Sequence, residues 1–211
     1  MPINPDQIQQ SDILLVHDRQ GIMGWLIRKF TRSYWNHAAL FVSKDGLWPK
    51  WVIEAQPGGV IGSPFELKYT KTIRDDNGKI IETNPAPQYH IAIARAKNLT
   101  DQQRRDIANR TYRFALQDTG YDYLLLILGM ALHLLTWRRW HPSWLNRKGR
   151  FICSELVTAA YAAAAGVAFG RYTSSGYATP GDIAAGCNEG GSFELVMATR
   201  SQKSPQSASI S

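Results

Sequence analysis

Short apolar runs bordered by polar turn residues dominate the first half of the chain. Five such runs lie at residues 12–17, 37–42, 51–55, 60–65 and 89–95. Their lengths and their borders, such as Ser43-Lys44-Asp45-Gly46, are typical of β-strands. We therefore predict an antiparallel sheet of about five or six strands, in which the runs at 37–42 and 51–55 are neighbours.

Helical patterns occur in three segments. Apolar residues at helical spacing over 22–30 predict a short amphipathic helix behind the first strand. A T-x-x-Q capping box at Thr100 predicts the start of a helix that continues to about residue 117. Small residues over 151–165 predict a tightly packed, buried helix that ends at Gly166.

Two further segments have no assigned place in the sheet. Residues 75–88 are rich in turn residues, and we expect a surface hairpin or excursion loop there, away from the chemistry. The segment from Leu124 to Trp137 is strongly apolar and is followed by Arg and aromatic residues. Its apolar portion is shorter than the roughly 20 residues of a spanning helix, which favours a core helix. A helix that lies in a membrane interface or lines the substrate site stays open.

The length of the chain favours a single domain. With 211 residues and a hydrophobic content of 44%, it can bury one substantial core, and we expect that domain to span residues 1–198. Residues 199–211 are rich in Ser and Gln and predict a disordered tail. Two cysteines, Cys153 and Cys187, are too few for a disulfide framework and are typical of a reducing compartment.

The N-terminal residues lack the basic and apolar regions of a secretory signal. We therefore expect synthesis in the cytoplasm without a signal peptide. A substrate outside the cytoplasm would then require a specialised secretion system, for example one that delivers the protein into the periplasm of a target cell.

The net charge bears on the class of partner. It is formally +7, with a pI near 9.5. This balance favours an anionic partner such as membrane phospholipid, a cell-wall polymer or nucleic acid, although a solvated basic surface is the simpler explanation. The basic residues are scattered and no nucleic-acid-binding motif accompanies them, so no nucleic acid partner is expected.

The candidate chemistry centres on Cys153, near the start of the helix predicted over 151–165. A thiol at a helix N-terminus has a lowered pKa, and the backbone N–H groups there can also stabilise an oxyanion. His37 at the start of one predicted strand can act as the base, and Glu54 on the neighbouring strand can orient the imidazole. Burying a charged side chain on a strand is costly, so the carboxylate of Glu54 predicts a polar partner or a functional role. Taken singly, the three residues also have structural explanations, as a strand-end histidine, an edge carboxylate and a small buried hydrophobe.

The other histidines and the second cysteine give no comparable signal. His17, His90, His133 and His141 show no H-x-x-x-H pairing, and the cysteines show no C-x-x-C pairing, so we expect neither a metal nor a cofactor. Cys187 lies in a loop context without a nearby base, which favours a bystander role.

Three motifs surround the candidate residues. They are S-Y-W-N-H-A-A-L around His37, V-I-E-A around Glu54 and F-I-C-S-E-L-V around Cys153. Together they resemble the circularly permuted branch of the NlpC/P60 papain-like superfamily, in particular the bacterial YiiX/YaeF-type permuted amidases. Weaker similarities are Tyr121-Asp122 ahead of the cysteine helix and T-P-G-D-I from Thr179 behind it, and the resemblance spans residues 12–183.

This resemblance implies an α+β fold, a circularly permuted papain-like (NlpC/P60) domain whose antiparallel sheet packs against the helix bearing the catalytic cysteine. It implies Cys153 as nucleophile, His37 as general base and Glu54 as the orienting acid, with an acyl-enzyme intermediate on the thiol. The Cys153 backbone N–H is the natural first oxyanion donor. The apolar segment 124–137 departs from the family pattern, which leaves the substrate more open than the mechanism.

The superfamily suggests a cysteine peptidase or amidase that cleaves bacterial cell-wall peptide (peptidoglycan). An antibacterial effector with an immunity protein is one form that such an enzyme could take. Two alternatives stay open. One is hydrolysis or acyl transfer on a lipid amide, ester or thioester, a lipid-linked acyl substrate, with peripheral membrane contact through Leu124 to Trp144. The other is an inactive papain-like binding or structural protein.

Overall fold

A computed structural model of the chain describes most residues up to 117 and several shorter stretches after them. The described residues are 2–20, 22–31, 33–47, 50–56, 58–78, 80–117, 120–121, 150–151, 153–167, 169, 178–188 and 190–199. The apolar segment 124–137 and the tail after Thr199 lie outside the described residues, so the expectations for them stay predictions.

The described residues form ten strands and five α-helices. The strands are β1 (Ile13–Asp18), β2 (His37–Phe41), β3 (Trp51–Gln56), β4 (Gly59–Pro64), β5 (Thr70–Arg74), β6 (Ile80–Pro85), β7 (Tyr89–Ala96), β8 (Gly120–Tyr121), β9 (Arg150–Phe151) and β10 (Phe193–Ala198). The helices are α1 (Ile22–Thr31), α2 (Phe65–Tyr69), α3 (Asp101–Leu116), α4 (Cys153–Ala165) and α5 (Pro180–Ala185). The expectation of a mixed α+β fold with an antiparallel sheet is confirmed.

Six strands form one antiparallel sheet in the order β10-β7-β1-β2-β3-β4. All five strands predicted from apolar runs belong to it, and the predicted neighbours β2 and β3 pair with Leu40 opposite Ile53. The sixth strand, β10, has no counterpart in the sequence prediction. It lies at the sheet edge and has an irregular register between Leu195 and Met197, which interrupts the alternation that reveals a strand.

Both faces of this sheet are covered, so its inner strands are apolar at nearly every position. On one face, short side chains such as Ala38, Ala92 and Ala94 lie in the same cluster as residues of α3 and α4. On the other face the side chains are larger, and Phe41 packs against Phe65 of α2. The alanine-rich face allows α4 to pack closely over β2 and β3.

Helix α3 begins at its predicted cap and α4 ends where the sequence predicted. The predicted start of α4 at Phe151 is wrong by two residues, because Phe151 pairs with Tyr121 in β9 and the helix begins at Cys153. Thr100 caps α3 with a reciprocal capping box, because its hydroxyl accepts from the Gln103 N–H and the Gln103 side chain accepts from the Thr100 N–H. Helix α4 is followed by Gly166 at a φ of +65°, the left-handed conformation that favours glycine. None of the described helices is both long enough and apolar enough to cross a membrane.

The turn-rich segment 75–88 contributes to a hairpin, one of the two outcomes expected for it. Strands β5 and β6 pair antiparallel, with Thr72 opposite Thr83. The hairpin is more than a surface excursion, because Thr83 is buried and its carbonyl accepts from the Ile3 N–H at 2.7 Å. The Ala86 N–H also donates to the carbonyl of Tyr69 at 2.9 Å. The hairpin thereby stabilises α2 and the other residues that cover this face of the sheet.

A buried ion pair joins the first strand to its neighbour β7. The carboxylate of Asp12 accepts two hydrogen bonds from Arg95, from Nε at 2.9 Å and from Nη2 at 2.8 Å. It also accepts from the Gln9 N–H at 2.8 Å. Next to it, the Tyr161 hydroxyl of α4 donates to the Ser11 carbonyl at 2.5 Å. These bonds hold β1, β7 and α4 together at the end of the sheet opposite His37.

Replacing Asp12 should destabilise the fold. Asp12→Ala leaves the largely buried guanidinium of Arg95 without its anion, and breaking a buried pair in this way costs about 3 kcal/mol. We expect a clearly lower urea midpoint for this variant. Asp76→Ala, at an exposed turn position, is the matched control and should change the free energy of unfolding by less than about 0.5 kcal/mol. Equal midpoints for the two variants would contradict this role of Asp12.

Candidate active site

His37 is the first residue of β2, and the loop ahead of it is fixed by buried polar contacts. Asn36 is buried; its Oδ1 accepts from the Asp18 N–H at 3.0 Å and its Nδ2 donates to the Asp18 carbonyl at 2.9 Å. Trp35 is buried in the hydrophobic cluster on the helix side of the sheet. The polar residues before the strand therefore fix the position of the imidazole instead of forming a solvated turn.

The weaker motif T-P-G-D-I supports the same loop. Thr179 caps α5, and the first turn of this helix lies against the loop before His37. A Cβ added at Gly181 would lie 2.6 Å from Ser33 Oγ, closer than a real Cβ approaches another atom. The glycine is thus required by the close approach of α5 to Ser33.

Glu54 lies on β3 and its side chain is 0% exposed. Its Oε2 accepts from Nε2 of His37 at 2.6 Å and from the Tyr69 hydroxyl at 2.5 Å. Its Oε1 accepts from Nζ of Lys68 at 2.7 Å. Glu54 is therefore an interior carboxylate with three partners, and the alternative of an edge carboxylate does not hold.

Cys153 is the first residue of α4 and is 5% exposed. Its sulfur is hydrogen-bonded to the His37 ring and to the backbone N–H groups of Ala38 and Ser154. Because Nε2 of the ring is engaged by Glu54, the nitrogen left for the sulfur is Nδ1. The three residues singled out in the sequence are thus joined in one chain of hydrogen bonds, from carboxylate to imidazole to sulfur.

The three pKa values are displaced in the directions that a thiolate–imidazolium pair requires. Burial on its own lowers the pKa of His37, but the charge and hydrogen bond of Cys153, followed by those of Glu54, raise it to about 10. Burial raises the pKa of Cys153, and the His37 charge and hydrogen bond together with the two backbone N–H groups outweigh it and lower the pKa. Burial also raises the pKa of Glu54, but His37 and then Lys68 hold it at about 2. The pair is therefore favoured as ions at neutral pH.

Three groups of this site were missed in the sequence. Lys68 and Tyr69 lie on α2, a helix of 5 residues that is too short for a periodic pattern. The only available hint was the need of a buried carboxylate for partners. The Ala38 N–H has no sequence signal, because every residue except proline carries such a group.

The remaining histidines and the second cysteine take other roles in the described part of the chain. The His17 ring stacks on Tyr34 with centroids 4.0 Å apart, and His90 is hydrogen-bonded to the Tyr34 hydroxyl. Burial raises the pKa of Cys187 to about 11 despite the nearby charge of Lys97, so this thiol is not activated. His133 and His141 lie outside the described residues.

Comparison with known proteins yields similarity to solved structures alone. No protein-family model matches the sequence, and no curated protein does. The crystal structure of the metalloprotein yiiX from Escherichia coli O157:H7 has 20% sequence identity and a TM-score of 0.49, over 78% of this chain and 71% of that one. A similarity of this size carries no conclusion about family or activity, and the roles of the residues are argued from the geometry of the site.

The described residues contain no group of three or more His, Cys, Asp and Glu side chains that could hold a metal ion. In Glu54 both carboxylate oxygens are already engaged by protein donors, and both ring nitrogens of His37 are engaged as well.

Replacing Glu54 should weaken the ion pair without abolishing the thiol. Glu54→Gln removes the negative charge that stabilises the His37 imidazolium. The pKa of His37 therefore falls, and the population of the neutral thiol–imidazole form rises. We expect the rate of Cys153 alkylation near pH 6, relative to its value near pH 10, to fall by about tenfold, equivalent to about one pKa unit. The measurement is an iodoacetamide rate profile against pH.

Glu66→Gln is the matched control for this experiment. Glu66 is another buried glutamate and lies on α2 with Lys68 and Tyr69; its Oε1 accepts from the Lys50 N–H at 2.7 Å instead of contacting the histidine. Its replacement should leave the shape of the profile unchanged. If both variants shift the profile equally, the effect comes from loss of a buried carboxylate and not from the contact between Glu54 and His37.

Proposed function

We propose that the protein is a cysteine hydrolase that cleaves an amide bond through Cys153, His37 and Glu54. The observation that carries this proposal is the continuous hydrogen-bonded chain from Glu54 through His37 to a sulfur at the start of a helix. Such a chain supplies a thiolate, a base that takes and returns the proton, and a carboxylate that fixes the ring. An inert structural cysteine needs none of these partners.

The reaction would proceed in two stages. The Cys153 thiolate attacks the carbonyl carbon, a C–S bond forms, and the carbonyl π electrons move onto the oxygen. The Cys153 backbone N–H, which the helix ladder does not use, can donate to this oxyanion. Nδ1–H of His37 then protonates the amide nitrogen as the C–N bond breaks and the C=O bond re-forms, which releases the amine and leaves a thioester.

The second stage hydrolyses the thioester. Neutral His37 takes a proton from water, the oxygen attacks the thioester carbon, and the C–S bond breaks. The acid leaves, and the thiolate–imidazolium pair is restored. Glu54 keeps the imidazole in one orientation through both stages, with Lys68 and Tyr69 holding the carboxylate.

We further propose that the domain has the circularly permuted NlpC/P60 papain-like fold. The chain order is histidine on β2, acid on β3 and cysteine on α4, which is the order expected of a circularly permuted NlpC/P60 papain-like domain. We propose the peptide of bacterial peptidoglycan as the substrate class. The motif resemblance supports it, and a net charge of +7 suits the anionic polymers of a cell wall.

The ionised pair can be tested directly by alkylation. In a Cys187→Ser background, we expect iodoacetamide to modify Cys153 rapidly at pH values well below about 8.5, the pKa of an ordinary thiol. His37→Ala should remove this low-pH reactivity, because the cation that lowers the thiol pKa is gone. Ordinary thiol behaviour that is unaffected by His37 would instead favour the inactive binding or structural protein.

The substrate class needs a separate test. A zymogram on purified peptidoglycan should show clearing by the wild type and at least a hundredfold less by Cys153→Ala, because the second variant has no nucleophile. Cys187→Ser is the matched control and should retain activity. Equal clearing by wild type and Cys153→Ala would rule out peptidoglycan cleavage at this thiol. No clearing by a wild type whose Cys153 is reactive would direct the search to other amides and to lipid acyl substrates.

A further inference from the structure

Helix α1 connects β1 to β2 at the end of the sheet that carries His37. One side of this helix faces the sheet. A Cβ added at Gly24 would lie 2.7 Å from Nδ2 of Asn36 and 3.5 Å from the Asp18 carbonyl oxygen. The Arg28 guanidinium, one turn later on the same side, donates to the Asp18 carbonyl. A glycine and a polar side chain thus contact the residues at the end of β1 and before β2.

The side chain of Leu26 points away from this side of α1. Leu26 lies two residues from both Gly24 and Arg28, which places it roughly 200° around the helix from each, on the opposite side. Trp25 is 50% exposed, and Leu26 and Ile27 are partly exposed. None of these three belongs to either hydrophobic cluster of the described residues or to the apolar residues packed against them. Burial in the described core thus does not account for Trp25, Leu26 and Ile27.

Basic residues predominate along the chain next to this helix. No acidic residue occurs between Asp18 and Asp45, whereas residues 19–32 carry four basic ones, Arg19, Arg28, Lys29 and Arg32. Lys29 is exposed and its Nζ lies 4.8 Å from the ring centroid of Trp25. An exposed tryptophan beside a lysine is typical of a helix at the boundary between lipid headgroups and acyl chains.

We propose that α1 docks on an anionic lipid bilayer. Trp25, Leu26 and Ile27 would enter the interface, while Lys29 and Arg19 contact lipid phosphates. A polyanion such as nucleic acid or a cell-wall polymer matches the charge but offers no apolar phase for the apolar residues, and a bilayer surface offers both. Since α1 leads directly into the loop before His37, docking would hold the Cys153 site next to the headgroups. This inference does not rest on the proposed hydrolase activity.

Vesicle flotation with the full chain tests the proposal. We expect the protein to float with vesicles of phosphatidylcholine mixed with phosphatidylglycerol and not with phosphatidylcholine alone. Trp25→Ala should lower the partition coefficient by about tenfold, the effect of losing one large apolar side chain at the interface. Lys29→Glu should lower it by about 30-fold, because each charge near an anionic surface is worth about 1 kcal/mol.

Two matched controls separate α1 from the rest of the surface. Trp51→Ala removes a tryptophan of similar exposure, 42%, from β3, and Lys71→Glu reverses an exposed lysine on β5. Both should leave partitioning within about twofold of the wild type, since neither lies on α1. Cys153 alkylation in every variant checks that the site is folded, and it reports on the proposed chemistry independently of vesicle binding.

Each of three outcomes would overturn the proposal or its assignment to α1. Absence of wild-type flotation with anionic vesicles overturns the proposal and leaves the reactivity of Cys153 untouched. Equal losses for Trp25→Ala and Trp51→Ala overturn the assignment to α1. Binding of similar strength to a soluble polyanion, unaffected by Trp25→Ala, would identify a general polyanion surface and would also overturn it.

Discussion

The rest of the structure depends on the buried carboxylate of Glu54 and on the donors that surround it. An ionised carboxylate on an interior strand has a desolvation cost of several kcal/mol unless donors surround it. Here the donors come from the neighbouring strand β2 and from the short helix α2, through His37, Lys68 and Tyr69. The layer that covers this face of the sheet is therefore held in register with the site. A shift of α2 would leave the charge uncompensated, so the fold and the imidazole orientation are stabilised by the same contacts.

The contacts around Glu54 and His37 stabilise the fold only within a limited range of pH. The pKa of Glu54 is lowered from 4.5 to about 2, so its contribution to stability is present above about pH 4.5 and is lost as the pH falls towards 2. The pKa of His37 is raised from 6.5 to about 10, so its contribution is complete below about pH 6.5 and is lost as the pH rises through 10. Between about pH 4.5 and 6.5 the contributions of Glu54 and His37 are both complete.

The two faces of the sheet have different roles in building the site. Small residues on the helix side, such as Ala38, allow α4 to pack closely, and the backbone N–H of Ala38 donates to the Cys153 sulfur. Larger side chains on the opposite face build the layer from which α2 reaches Glu54. Cys153 comes from the helix side and Glu54 faces the other side, so they meet at His37, where β2 begins. The sheet end is thus the place where both layers contribute to one site.

The sequence by itself determined the strands with strong apolar runs, the capping of α3, the end of α4 and the three candidate residues His37, Glu54 and Cys153. These signals are local, because periodicity, capping and side-chain type are properties of short segments. Strand β10, the partners Lys68 and Tyr69, and the direction in which the side chain of Leu26 points from α1 were decided only by the tertiary structure. They depend on edge pairing and on contacts between segments distant in the chain, which short-range patterns do not encode.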